Sequence, residues 1–207
     1  KIFIIGTPLS GPTSVCHAFL EFGIATAHTA YTSYCFENAT AIADTPVFND
    51  YRALDSHYPG AKFIYLAREK TPWVASIRQL LLRMHTNLTR PDGGFNIHIK
   101  RCYLTTFTDL SIDNINQDDY LTKCYNTHLA NAREYFKHRS NDYLEIDIAK
   151  PQSFAELTAF LGIKSERTDF EKMNIGGKVT AWNDIKHPLK IDSTSKGRID
   201  KHLPYMR

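Results

Sequence analysis

Residues Gly6-Thr7-Pro8-Leu9-Ser10-Gly11-Pro12-Thr13-Ser14 combine a Gly-x-x-x-x-Gly spacing with a cluster of hydroxyls. Between a strand and a helix, such a loop turns backbone N–H groups toward one point, and the helix N-terminus adds partial positive charge there. That is a seat for a phosphate group. Gly11 allows close backbone approach, and Ser10, Thr13 and Ser14 can donate further hydrogen bonds. Nucleotide triphosphatases need a lysine directly after the second glycine to reach the terminal phosphates. Pro12 stands there, with neither charge nor N–H, which argues against a kinase or GTPase of the usual kind. A second pair, Arg68 and Ser76, joins a guanidinium fork to a hydroxyl and suits a second phosphate. Two residues could accept a proton at strand ends: Asp44, which opens an Asp-Thr-Pro turn, and His28, whose ordinary pKa lies near neutrality. Asp44 ranks first.

The elements that must hold these residues can be read from hydrophobic period and punctuation. Lys1–Ile5 is a short apolar run closed by Gly6, a buried strand. Val15, Cys16, Phe19, Leu20 and Phe22 follow at helical spacing, stopped by Gly23. Strands are expected at 24–28, weakly at 39–44, at 62–67 and at 143–148. Helices are expected at 50–58, from Pro72 onward, at 118–138 and from a Ser153/Glu156 capping box to Leu161. His128 lies on the apolar stripe of the 118–138 helix and reads as a hydrogen-bonded core residue. Strands alternate with helices, so the expected fold is a single α/β domain over 1–207. Its sheet is mainly parallel, has helices on both faces and begins with a P-loop-like strand-loop-helix. The polar segment 86–117 reads as an irregular insertion or lid, and 162–207 as a loop-rich tail with a basic cluster, Lys196-Gly197-Arg198. In such sheets ligands bind beyond the carboxyl ends of the strands.

Composition narrows the partners. The chain has 207 residues, 43% hydrophobic and 23% charged, which is ordinary for a globular domain. A net charge of +3 fits an anionic small ligand and is too small to indicate nucleic acid. Cys16, Cys35, Cys102 and Cys124 form no metal-binding spacing; Cys16 and Cys124 fall on apolar helix faces and read as buried thiols. No metal is expected. No apolar run could span a membrane, and no signal peptide is visible in these residues, although a trimmed start would look the same. With the free thiols, the expected compartment is the cytoplasm. Oligomeric state is not encoded in any pattern.

Three segments in chain order resemble one family. The Gly6–Ser14 loop looks like the 5′-phosphosulfate loop of sulfotransferases. The run from Tyr58-Pro59-Gly60 through Arg68, with Trp73 and Ser76, resembles their 3′-phosphate segment. Leu144-Glu145-Ile146-Asp147 with Pro151 and Phe160-Leu161-Gly162 is similar to their closing strand and helix. The resemblance implies a donor, 3′-phosphoadenosine 5′-phosphosulfate, and sulfuryl transfer without a metal to a hydroxyl or amine on a small molecule or glycan. It implies that Ser10, Gly11, Thr13 and Ser14 hold the 5′ side and that Arg68 and Ser76 hold the 3′-phosphate. Lys196, Gly197 and Arg198 are loosely similar to the family's C-terminal basic-glycine segment, with different spacing. An Asp-x-Pro run like that at Asp44 also occurs in relatives. Two positions depart from the pattern: Leu9 stands where the loop carries Lys or Arg, and Pro12 replaces a donor of hydrogen bonds. Lys70, Lys196 and Arg198 are the candidate substitute cations. The alternatives are a nucleotide-binding relative that has lost catalysis and, further off, a P-loop phosphotransferase. Tyr103, Phe107, Trp182 and Tyr205 are either acceptor walls or packing.

Overall fold

Side chains of successive strand residues point to opposite faces, and here both faces are apolar. Phe3 and Ile5 of β1 (Ile2–Ile5) join Ile42 of β3 (Ala41–Ala43) and Phe63 and Tyr65 of β4 (Lys62–Ala67) in one buried cluster. Ile4, Ala41, Ala43, Ile64 and Leu66 join Ile146 of β5 (Tyr143–Asp147) in another. A sheet buried on both sides must be sandwiched between helices. The computed structural model, which describes residues 1–171, 182–195 and 197–206, has that architecture. With β2 (Thr26–Ala27), the five strands run parallel in the order β2-β3-β1-β4-β5.

Helices α1 (Pro12–Glu21) and α8 (Ser153–Leu161) cover one face through Val15, Cys16, Phe19, Leu20 and Leu157. On the other lie α2 (Ser33–Asn38), α3 (Val47–His57) and α7 (Asp118–Phe136), contributing Phe36, Val47, Tyr51, Leu54, Ala132 and Phe136. A third cluster joins α4 (Lys70–Thr89) to α7 through Trp73, Ile77, Leu81, Leu121 and Tyr125.

The strand order places the site. The chain leaves β1 toward β2 on one side of the sheet and leaves β4 toward β5 on the other. Neighbouring strands whose connections diverge leave a crevice at their carboxyl ends. Gly6 and Arg68 are the first residues beyond β1 and β4.

Several local expectations are corrected. The segment 86–117 is not irregular. It completes α4 and forms α5 (Ile97–Thr106) and α6 (Ile112–Ile115), burying Cys102, Tyr103, Phe107 and Ile115. Its polarity reflects the outer faces of short helices, whose stripes are too brief to show a period. Asn96 accepts from the His98 and Ile99 N–H groups as the α5 cap, and Arg101 of α5 grips Asp50 of α3 through two hydrogen bonds of 2.7 and 2.6 Å. Pro72 is the third residue of α4 rather than the first, a position whose N–H also needs no helical partner. Ser153 does not cap α8: its hydroxyl donates backward to the Lys150 carbonyl at 2.7 Å.

His128 is a core residue. Its Nε2 lies 2.9 Å from the Phe48 carbonyl and its Nδ1 3.0 Å from the Tyr65 hydroxyl, which fixes a neutral ring that donates to the first and accepts from the second. Burial lowers its pKa to about 4 against the usual 6.5. The unfolded chain therefore binds a proton on this residue before the folded one does, and stability falls as pH drops through that window. The expected loss from His128 is about 3 kcal/mol between pH 6.5 and 4, and none above pH 7. Urea unfolding across pH should show this slope in the wild type and a shallower one in His128→Gln; equal slopes would assign it to other groups.

Candidate active site

Gly6 and Gly11 set the shape of the loop between β1 and α1. Gly6 has φ +124°, and a Cβ there would lie 2.6 Å from the Leu66 carbonyl oxygen, so the loop starts in direct contact with β4. Gly11 has φ +98° and caps α1, with Pro12 at its first position, where a missing N–H costs nothing. Between them Ser10 donates to the Thr7 carbonyl at 2.7 Å.

Two side chains beyond β4 pull the loop's carbonyls away from its centre. Trp73, fully buried on α4, donates Nε1–H to the Pro8 carbonyl at 2.9 Å. Arg68 donates from Nη1 to the Leu9 carbonyl at 2.6 Å. Tyr125 of α7 braces both: its hydroxyl accepts from the Arg68 N–H at 2.8 Å and donates to the Arg68 carbonyl at 2.9 Å, and its ring packs 4.8 Å from that of Trp73. Leu9, with φ 67°, turns its side chain into the apolar cluster around α4 and α7.

Thr7 is buried, and its hydroxyl has no hydrogen-bond partner among the described residues. A buried hydroxyl left unpaired costs about 1–3 kcal/mol unless a ligand or water completes it. Thr7, Pro8, Ser10 and Pro12 line a small concavity with Asp44. Asp44 follows β3 with φ 55°, in the left-handed region, and the next peptide, Thr45–Pro46, is cis. One carboxylate oxygen accepts from the Thr45 hydroxyl at 3.1 Å, while the other lies 3.8 Å from His28 Nδ1. His28 Nε2 is 3.1 Å from the Thr13 hydroxyl, and the ring packs 5.6 Å from Trp182. Burial lowers the His28 pKa, against the opposing pull of Asp44.

The structure thus brings Ser10, Gly11, Thr13, Asp44 and His28 together around one loop, with Arg68 bound to its Leu9 carbonyl. Ser14 is half-buried one residue further along α1. Ser76 donates to the Pro72 carbonyl at 2.9 Å within α4. Gly197 and Arg198 lie elsewhere: Arg198 lines an opening at the start of α2 with Thr32, Ser33, Tyr34, Ser195 and Asp200. Lys196 lies outside the described residues. Of the four aromatics weighed as acceptor walls, Tyr103, Phe107 and Tyr205 are buried packing, and Trp182 backs His28.

Thr7, Trp73 and Tyr125 were not assigned site roles from sequence. Thr7 could have been found as the hydroxyl next to the first glycine. Tyr125 carried no signal, since its stripe position on α7 reads as core.

The sulfotransferase domain family matches residues 30–179, and the chain belongs to that family. The match takes in Asp44, Arg68 and Ser76 and begins after the Gly6–Ser14 loop and His28. No curated protein matches the chain. Among the described residues no helix is long and apolar enough to cross a membrane.

Trp73→Phe keeps an aromatic ring and removes the N–H that holds the Pro8 carbonyl. The expected loss is about 1–3 kcal/mol of stability from the orphaned carbonyl, read by urea denaturation. An unchanged midpoint would show that the loop does not depend on this bond.

Proposed function

We propose that this protein transfers a sulfuryl group from 3′-phosphoadenosine 5′-phosphosulfate to a hydroxyl or amine of a small-molecule or glycan acceptor, with Asp44 as the base. The observation that carries the reading is the shared concavity: residues of the Gly6–Pro12 loop and Asp44 line one small space in a chain of the sulfotransferase family.

The residues divide the work. The backbone N–H groups of Gly11, Thr13 and Ser14 and the Thr7, Thr13 and Ser14 hydroxyls receive the 5′ phosphosulfate, joined by Ser10 once its hydroxyl turns from the Thr7 carbonyl. Arg68 has one nitrogen committed to Leu9, while Nε and Nη2 make no hydrogen bond among the described residues. That free edge, with the Ser76 hydroxyl, receives the 3′-phosphate. As the acceptor oxygen or nitrogen bonds to sulfur, the bridging S–O bond breaks. The acceptor's proton moves to Asp44, and adenosine 3′,5′-bisphosphate departs. Asp44 suits the role better than His28: its side chain is 20% exposed against 13%, and it lines the concavity beside the loop.

A second reading, binding without transfer, is favoured by Leu9, whose side chain packs inward and leaves the loop without a cation of its own. The two separate by experiment. Adenosine 3′,5′-bisphosphate at a hundredfold excess over its dissociation constant should stabilise the protein by about 2.7 kcal/mol, a rise of roughly 5–11 °C in melting temperature. Magnesium-ATP should give no comparable shift. A larger shift with ATP would replace this donor with a nucleotide triphosphate. Asp44→Asn should lower transfer or donor hydrolysis by about 10²–10⁴-fold, a larger factor than any accompanying change in bisphosphate affinity. Bisphosphate binding with no turnover in the wild type would select the binding-only reading.

A further inference from the structure

We propose that His28 takes up a proton when a phosphorylated donor occupies the Gly6–Ser14 loop, and that its imidazolium, acting through the Thr13 hydroxyl, is the positive charge of that loop. The proposal rests on the donor reading above and adds the residue that supplies the charge.

The loop contains no Lys or Arg between Gly6 and Ser14. Among the described residues, the candidate cations have other placements. Arg68 is bound to the Leu9 carbonyl, Lys70 is exposed at the start of α4, and Arg198 lines an opening at the start of α2. His28 is different, because it touches an α1 hydroxyl directly. Thr13, the second residue of that helix, lies 3.1 Å from Nε2, and Asp44 lies 3.8 Å from Nδ1 on the opposite side of the ring.

A hydroxyl has one proton to give. In the free protein Thr13 can donate it to Nε2 and leave the imidazole neutral. An anion seated on the loop draws that proton toward itself, since it offers only acceptors. The Thr13 oxygen must then receive a hydrogen bond from the ring, which requires a proton on Nε2. With a single proton held there, the Nδ1 lone pair would face the Asp44 carboxylate. A second proton, drawn from solvent onto Nδ1, replaces that repulsion with an ion pair. The ring then carries a positive charge between the Asp44 carboxylate and the Thr13 hydroxyl. Nothing is oxidised or reduced, and the proton returns to solvent when the anion leaves.

The surroundings favour such a switch. Without an anion, burial holds the ring's pKa down despite Asp44. Cys16 of α1 and Tyr31, which follows β2, feel the same carboxylate, and burial keeps both protonated. On the tail side, the Lys190 ammonium lies 5.2 Å from the centre of the Trp182 ring and is bonded to the carbonyls of Trp182 and Ile185. Among the described residues Asp44 is therefore the charged group facing His28, and the donor's phosphates would be the next.

Isothermal titration of adenosine 3′,5′-bisphosphate at pH 7, in buffers of different ionisation enthalpy, reads the proton directly. The wild type should take up on the order of one proton per site more than His28→Gln; the ligand's own phosphates titrate in both and cancel. Thr13→Val, which cuts the link and spares the His28–Asp44 pair, should also lose the uptake. In the wild type, imidazole nitrogen NMR should show one histidine passing from the neutral to the doubly protonated pattern as ligand is added, a measurement that needs no variant to fold. Binding with equal uptake in wild type and His28→Gln, or with no histidine nitrogen shift, overturns the proposal and leaves the donor assignment standing. Uptake retained in Thr13→Val overturns the route through the hydroxyl. Absence of binding to the wild type overturns the donor assignment and this proposal with it.

Discussion

The site depends on which way two carbonyl groups point. A loop can offer its N–H groups to an anion only if its C=O groups are directed elsewhere and satisfied there. Trp73 and Arg68 do this for Pro8 and Leu9, from positions just beyond β4. Tyr125 makes the arrangement rigid by bonding both backbone groups of Arg68 and packing on Trp73. The loop after β1 therefore takes its shape from β4, α4 and α7, none of which is close to it in sequence. Arg68 also joins the two phosphate positions of the proposed donor, since one part of its guanidinium holds the loop and the rest is free.

This changes the meaning of Leu9. Read as a string, the loop has an apolar residue where a cation is expected, as though the site had decayed. In the fold, Leu9 adopts a left-handed backbone conformation, offers its carbonyl to Arg68 and packs its half-buried side chain against the cluster of α4 and α7. It belongs to the scaffold that aims the loop. Charge then has to come from outside the loop, and the Thr13–His28–Asp44 series is the titratable route that touches it.

Much of the architecture was legible because both sheet faces are apolar and the strands are punctuated. The strand at 62–67 falls where its uninterrupted apolar run lies, and Gly6 and Gly11 mark a tight loop because each needs a positive φ. Asp44 and His28 were legible as titratable groups at strand ends. Their mutual placement was not, because it depends on β2 and β3 being neighbours while β1 lies beyond β3, and strand order leaves no mark on local pattern. Helices α5 and α6 were missed for another reason. Each is short, and their buried residues Cys102, Tyr103, Phe107 and Ile115 are scattered among polar ones, so tertiary packing carries what periodicity cannot.

The far edge of the sheet has a consequence for how the molecule is built. Strand β2 is two residues long, and the tail runs beside it: Lys190 pairs with Thr26, the Ile191 N–H donates to the Thr26 carbonyl, and the Tyr31 N–H donates to the Ser193 carbonyl. Thr29 bonds Ser193 across 164 residues of sequence, and Trp182 closes over His28. One wall of the site is therefore supplied by chain made long after the rest. On the ribosome, β1 and its loop emerge early, but the histidine beside them stays open to water until the tail arrives. Closing so large a loop is slow compared with forming local helices. The loop after β1 can take its shape once Tyr125 of α7 is in place, whereas the enclosure of His28 waits for the later tail to dock on β2.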